Sequence, residues 1–301
     1  MDVAEILSEL DRNHTQVPRL ALEEAAAHRD ELTPRLLAVL EEIAKDPAHF
    51  LEDPNRNIHA YAMYLLAQFQ EPRAYPLLVK IFSAPGEAPF NLAGDVVVQD
   101  LDNILASVSD GDPSGMMELV ENEKANGYVR GAALDGLVTL VVCGRRSRDE
   151  IMAYFQRLFQ ILERKPSEVW DGLANACADL CPREVKEDLA RAYDEGLVDS
   201  MCVCWEDIEE ALNWDPTTAV KEARRNHRLI ANTADAIGWW SCFHDYQSKA
   251  KGASAGIETE GDLVDLEDDA ASPFPPLGRD PLIPEPYQRT EPKVGRNEPC
   301  S

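Results

Sequence analysis

The stretch 60-AYAMYLLAQFQEPRAYPLLVKIF-82 decides how this 301-residue chain is read. Extended back to Asn57, its first half is apolar all round a 3.6-residue period, the mark of a helix enclosed by protein. Glu71, Pro72 and Arg73 interrupt the run, and an amphipathic, Leu-rich half follows at once. Alanines let backbones approach closely, so such pairs can stack and share one elongated core.

The same grammar recurs downstream. YVRGAALDGLVTLVV (128–142) precedes SRDEIMAYFQRLFQIL (147–162), and SEVWDGLANACADL (167–180) precedes PREVKEDLARAY (182–193). Start signals accompany these runs. Thr33 then Pro34 reads as a cap with proline at the first helical position. Ser147 to Glu150 fits a capping box, and Asp215 then Pro216 opens another helix. Gly196 is a natural stop. Sustained period-two alternation is missing throughout. Even GDVVVQDL (94–101) is expected to be helical, with Val97, Leu101, Ile104 and Val108 on one face and Asp95, Gln99 and Asp102 on the opposite one.

The opening stretch resembles a HEAT-type repeat, in which an Ala/Leu-rich helix meets a Pro-Arg-Ala turn and a Leu-rich helix follows. A wider likeness runs from DVAEILSEL (2–10) through GLVD (196–199) to WWSCF (239–243). It is similar to a bacterial family known as domain of unknown function 1186. The resemblance implies an all-α, HEAT-like α-solenoid of helical pairs over residues 1–248, and it transfers no catalytic residue.

Residues 249–293 differ in kind. ETEGDLVDLEDD is an acidic run, and eight prolines fall between residues 271 and 301. The expectation is a disordered acidic and Pro-rich linker. Residues 294–301 follow it, and VGRNEPC resembles the opening of the SEC-C zinc motif. That motif needs four thiolate or imidazole ligands for tetrahedral zinc, and here Cys300 stands alone before Ser301. The resemblance implies zinc for a complete motif, none in this chain as given, and a role in protein or ribosome docking near export and translation machinery.

Charge bounds the partners. The net charge is −26, of which −20 lies in residues 1–250, because residues 251–301 hold 5 Lys and Arg against 11 Asp and Glu. Such a field repels nucleic-acid phosphate and anionic lipid and attracts basic proteins. No apolar run reaches the ~20 residues that span a bilayer. MDVAEILSEL has neither the basic nor the apolar region of a signal peptide. Seven cysteines, an odd number, read as reduced thiols in the cytoplasm.

Chemistry-bearing clusters are sparse. Cys202, Cys204, Cys242 and His244 supply four possible zinc ligands in the pairs CVC and CFH. Cys177 and Cys181 lie four apart on one helical face and suit packing. The other histidines have no HExxH spacing, and no Ser elbow or phosphate loop occurs. SDGDPSG (109–115) reads as a turn. Tyr61, Tyr64, Trp239 and Trp240 fall in apolar helices and suit the core.

The acids remain. Asp95, Asp102, Glu184, Glu187 and Asp188 crowd helix faces that would line a negative groove if the pairs curve. The expected function is a non-enzymatic cytoplasmic scaffold or adaptor for a basic protein or peptide. The alternative is a metal-dependent hydrolase with a carboxylate site inside the solenoid.

Overall fold

A computed structural model describes residues 1–47 and 56–244. The linker and the segment around Cys300 lie outside the described residues. Among these residues the regular structure is helical, with sixteen α-helices, three short 3-10 turns and no strand.

The chain opens with α1 (Val3–Leu10), α2 (Arg19–Ala27) and α3 (Arg29–Lys45). The decisive stretch forms α4 (Ile58–Gln68) and α5 (Ala74–Phe82), separated at Gln70, whose φ is +50°. Ten of the eleven residues of α4 are buried, as its all-round apolarity requires. Burying each large side chain contributes about 1.5–3 kcal/mol. Helices α6 (Ala88–Ala93), α7 (Val96–Gln99), α8 (Leu101–Val108) and α9 (Ser114–Glu121) follow. Next come α10 (Gly127–Val142), α11 (Arg148–Ile161), α12 (Glu168–Asp179) and α13 (Lys186–Asp194). The last are α14 (Trp205–Asn213), α15 (Pro216–Ala223) and α16 (Thr233–Ala236).

Helices α4, α8, α10, α12 and α14 each pack on the next of that series. Helices α3, α5 and α9 form a second row in the same sense, and α9 also packs on α10. Thirteen of the sixteen residues of α10 are buried, which makes it the central rod of the core.

Local expectations divide. Asp215 caps α15 by accepting from the Thr217 and Thr218 amides, with Pro216 at the first position. Gly196, at φ +66°, follows the end of α13. Ser147 accepts from Glu150 N at 3.2 Å, but the Glu150 carboxylate turns to Arg146 at 3.4 Å. Thr33 and Pro34 do not open a helix. α3 begins at Arg29 directly after α2, and Thr33 Oγ1 donates inward to Arg29 O. Cys181 lies beyond the end of α12 at φ +60°, so it does not share a helical face with Cys177.

The segment 94–108 is helical, and Val97, Leu101, Ile104 and Val108 are all fully buried. It breaks at Asp100, however, into α7 and α8. The break turns α8, and Asp102 is buried rather than presented on an outer face.

After α15 the chain reverses across helices already laid down. Arg228 N donates to Asn103 Oδ1, Ile230 N to Ser107 Oγ and Thr233 N to Gln68 Oε1. Trp239 Nε1 reaches Asp100 Oδ2, and the Trp240 ring packs on Tyr61 and Tyr64. Tyr61, Tyr64 and Trp240 are buried and Trp239 half-buried, as core residues.

Candidate functional site

Two helices present matched stripes. On α10, Tyr128, Gly131, Ala132 and Asp135 recur at three- and four-residue steps, and on α12 so do Glu168, Asp171, Gly172, Asn175 and Ala178. This is the spacing of one helical face. At their crossing a Cβ on Gly172 would lie 2.9 Å from Gly131 Cα, so only glycine permits this approach. The flanking side chains rise as walls above the glycine contact.

The walls enclose two adjoining cavities of about 810 and 640 Å³ that share Tyr128, Glu168, Asp171, Ser200 and Cys202. Together they form a groove closed by the loop 196–204 and the first turn of α14. Its carboxylates are Asp102, Asp135, Glu168, Asp171, Asp199 and Asp207, and no Lys or Arg lines it. The groove is also greasy at its rim. Val98, Tyr128 and Met201 are exposed there, Met201 to 92 %.

The groove's acidity perturbs its own side chains. Burial raises the Asp171 carboxyl above its ordinary range, although Asp171 Oδ1 accepts from Asp199 N at 2.7 Å. Burial raises the Cys202 thiol, and Asp171, Asp199 and Glu168 raise it further. The Cys204 thiol is pushed up to about 11 by burial and by the carboxylates of Asp207 and Glu206. Both cysteines are therefore held as thiols, the opposite of what nucleophilic catalysis needs.

Behind the groove lies His227, 2 % exposed. Its Nε2 is 2.9 Å from Asp179 Oδ2, its Nδ1 is 3.1 Å from Thr139 Oγ1 and 3.9 Å from Asp102 Oδ2. Burial acts to lower its pKa, but Asp179, Asp135 and Asp102 outweigh burial, and the net shift is upward.

The acids singled out from the sequence separate. Asp102 belongs to the groove. Asp95 is half-buried before α7, with its pKa raised by burial, and is not a groove residue. Glu184 is engaged by Arg148 at 2.7 Å, which lowers its pKa. Glu187 is exposed on α13, and Asp188 pairs with Arg191 at 3.5 Å. Cys202 and Cys204 sit at the groove, whereas Cys242 lies beside Tyr61 and His244 bonds Gly238 O. Among the described residues no group of three or more His, Cys, Asp or Glu is placed to hold a metal ion. Sequence reasoning passed over Asp135, Glu168, Asp171, Asp199 and Asp207. The three- and four-residue recurrence on two Gly- and Ala-rich helices was the signal that could have found the first three.

The family described as protein of unknown function (DUF1186) matches residues 1–244. An uncharacterized protein of Chlamydia trachomatis serovar D is 37 % identical over 242 residues, which are 80 % of this chain and 96 % of the relative. An uncharacterized protein of Chlamydia muridarum is likewise 37 % identical over 242 residues, 80 % of this chain and 97 % of its own. No solved structure matches. No helix among the described residues is long and apolar enough to cross a membrane.

Proposed function

The chain belongs to the DUF1186 family, a family of unknown function, and from that premise we propose that it is a cytoplasmic protein-binding scaffold whose acidic groove takes a basic segment of a partner protein. One observation carries the reading. Six carboxylates line the groove and no Lys or Arg does, so an incoming cation meets an excess of negative charge. The exposed Val98, Tyr128 and Met201 define the rest of the partner. Next to its basic residues it carries a large apolar side chain, because apolar anchors supply most of an interface's energy while charge supplies steering.

We also propose that the body is a HEAT-like α-solenoid. The stepwise packing of α4, α8, α10, α12 and α14, with α3, α5 and α9 behind, supports it. The SEC-C resemblance of residues 294–300 adds docking near the ribosome or export machinery as the proposed setting.

A fluorescent Lys/Arg-rich peptide with one Leu or Trp tests the groove. Binding is expected to weaken steeply between about 50 and 300 mM salt, and again in Glu168→Gln/Asp135→Asn. Salt-independent binding, or none, defeats the reading. Retained divalent metal together with hydrolysis of a simple ester would move it to the hydrolase alternative.

A further inference from the structure

Residues 224–243 contain little that makes them a stable element alone, yet they lie across five helices. Each end is fastened differently. At the far end the Trp239 indole and the Tyr64 hydroxyl share Asp100 Oδ2, at 2.7 and 2.6 Å. Between the ends, side chains of Asn103, Ser107 and Gln68 accept the backbone amides of Arg228, Ile230 and Thr233. At the near end stands one group that titrates near neutral pH, His227.

We propose that residues 227–243 form a proton-latched strap, in which the charged imidazole of His227 fastens one end to α8, α10 and α12 and loss of its proton loosens the segment. The polar groups facing this ring are few. Asp102 faces it from α8, Asp135 and Thr139 from α10, and Asp179 from α12. On its own segment stand Arg224, Arg225 and Arg228. The bonding pattern suits an imidazolium. Thr139 Oγ1 donates to Asp135 O, so it can accept from Nδ1–H, while Nε2–H donates to Asp179. A neutral ring would leave three nearby carboxylates without that charge.

His227 has a folded-state pKa above its ordinary value of about 6.5. A raised histidine stabilises docking fully below that ordinary value, and the contribution is lost as pH rises through the raised one. The strap therefore loosens on the alkaline side. What opens is the bed formed by Gln68, Asn103 and Ser107, a row that binds extended backbone.

Amide hydrogen exchange of the full chain, corrected for intrinsic rates, tests this at about pH 6 and about pH 8.5. Protection of the Ile230 and Thr233 amides is expected to fall on the alkaline side, approaching tenfold for each unit of upward shift. Amides of Leu134 and Leu137 in α10 should change little. In His227→Gln the strap amides should be weakly protected at both pH values. In Asp179→Asn, which keeps the ring and removes one partner, the midpoint should move to lower pH. Equal protection of Ile230 and Thr233 at both pH values in the unmodified chain overturns the proposal. A wild-type pH response in His227→Gln overturns it equally.

Discussion

Trp239 Nε1 donates to Asp100 Oδ2 across 2.7 Å, joining two residues 139 positions apart. The Tyr64 hydroxyl donates to the same oxygen at 2.6 Å. One carboxylate, on the residue where the 94–108 segment breaks into two helices, thus satisfies a fully buried phenol and receives the returning chain.

Asp100→Ala leaves a buried phenol and a half-buried indole without their acceptor and is expected to cost about 2–4 kcal/mol in urea unfolding. Burial raises the Asp100 carboxyl, with the bonds from Tyr64 and Trp239 only partly offsetting it. A raised carboxylate binds its proton more tightly folded than unfolded. Its contribution is therefore most favourable below about pH 3.9 and falls as pH rises through the folded value. Asp100→Asn keeps a carbonyl acceptor, should cost less than Ala, and should abolish that step.

The glycine crossing makes a paired test. A Cβ at 172 would lie 2.9 Å from backbone that cannot move without displacing a helix. Gly172→Ala is expected to lower stability by about 1–3 kcal/mol through forced separation of α10 and α12. A Cβ at 131 meets nothing nearer than Glu168 O at 3.9 Å. Gly131→Ala should therefore be neutral, or stabilise by up to about 1 kcal/mol through helix propensity. Thermal melts of the two variants compare the signs directly.

Thiol chemistry reports the groove's potential. With Cys204 raised to about 11, its thiolate at pH 8 should be about a hundredfold scarcer than that of a thiol at 9. Alkylation by iodoacetamide, followed site by site by mass spectrometry, should be correspondingly slow. Asp207→Asn should accelerate it, because it removes a charge that disfavours the thiolate.

Arg148 closes the C-terminal end of α12. It donates to Leu180 O and Cys181 O and pairs with Glu184. Arg148→Ala should cost about 2 kcal/mol, since buried carbonyls lose a charged donor. Arg148 also holds the Glu184 carboxyl below its usual range. That contribution is present above about pH 4.3 and is lost as pH falls through the lowered value. A urea midpoint that drops on acidification less steeply in Glu184→Gln than in the parent chain checks it.

Much of the helical plan was legible because it rests on periodicity. The all-round apolarity of 58–68 made α4 a buried helix, and the stripe Val97, Leu101, Ile104, Val108 is buried as its spacing implied. The groove was less legible. Asp102 was singled out for an exposed face that it does not occupy, because the turn at Asp100 re-aims α8. Asp188 is on α13 as expected and Glu184 on the 3-10 turn before it, but Arg191 and Arg148, respectively, engage them. A cation 36 residues away leaves no trace in a local pattern.

By itself the sequence determined the helical class, the buried identity of α4, several helix starts and stops, and the excess of negative charge. These follow from interactions within a few turns of chain or from composition. Only the tertiary structure decided which acids share a groove, that Gly131 meets Gly172, and that residues 227–243 turn back over α8 and α4. Those outcomes depend on crossing angles and on contacts between distant segments, and a periodic pattern specifies which face is apolar without naming the surface that will cover it.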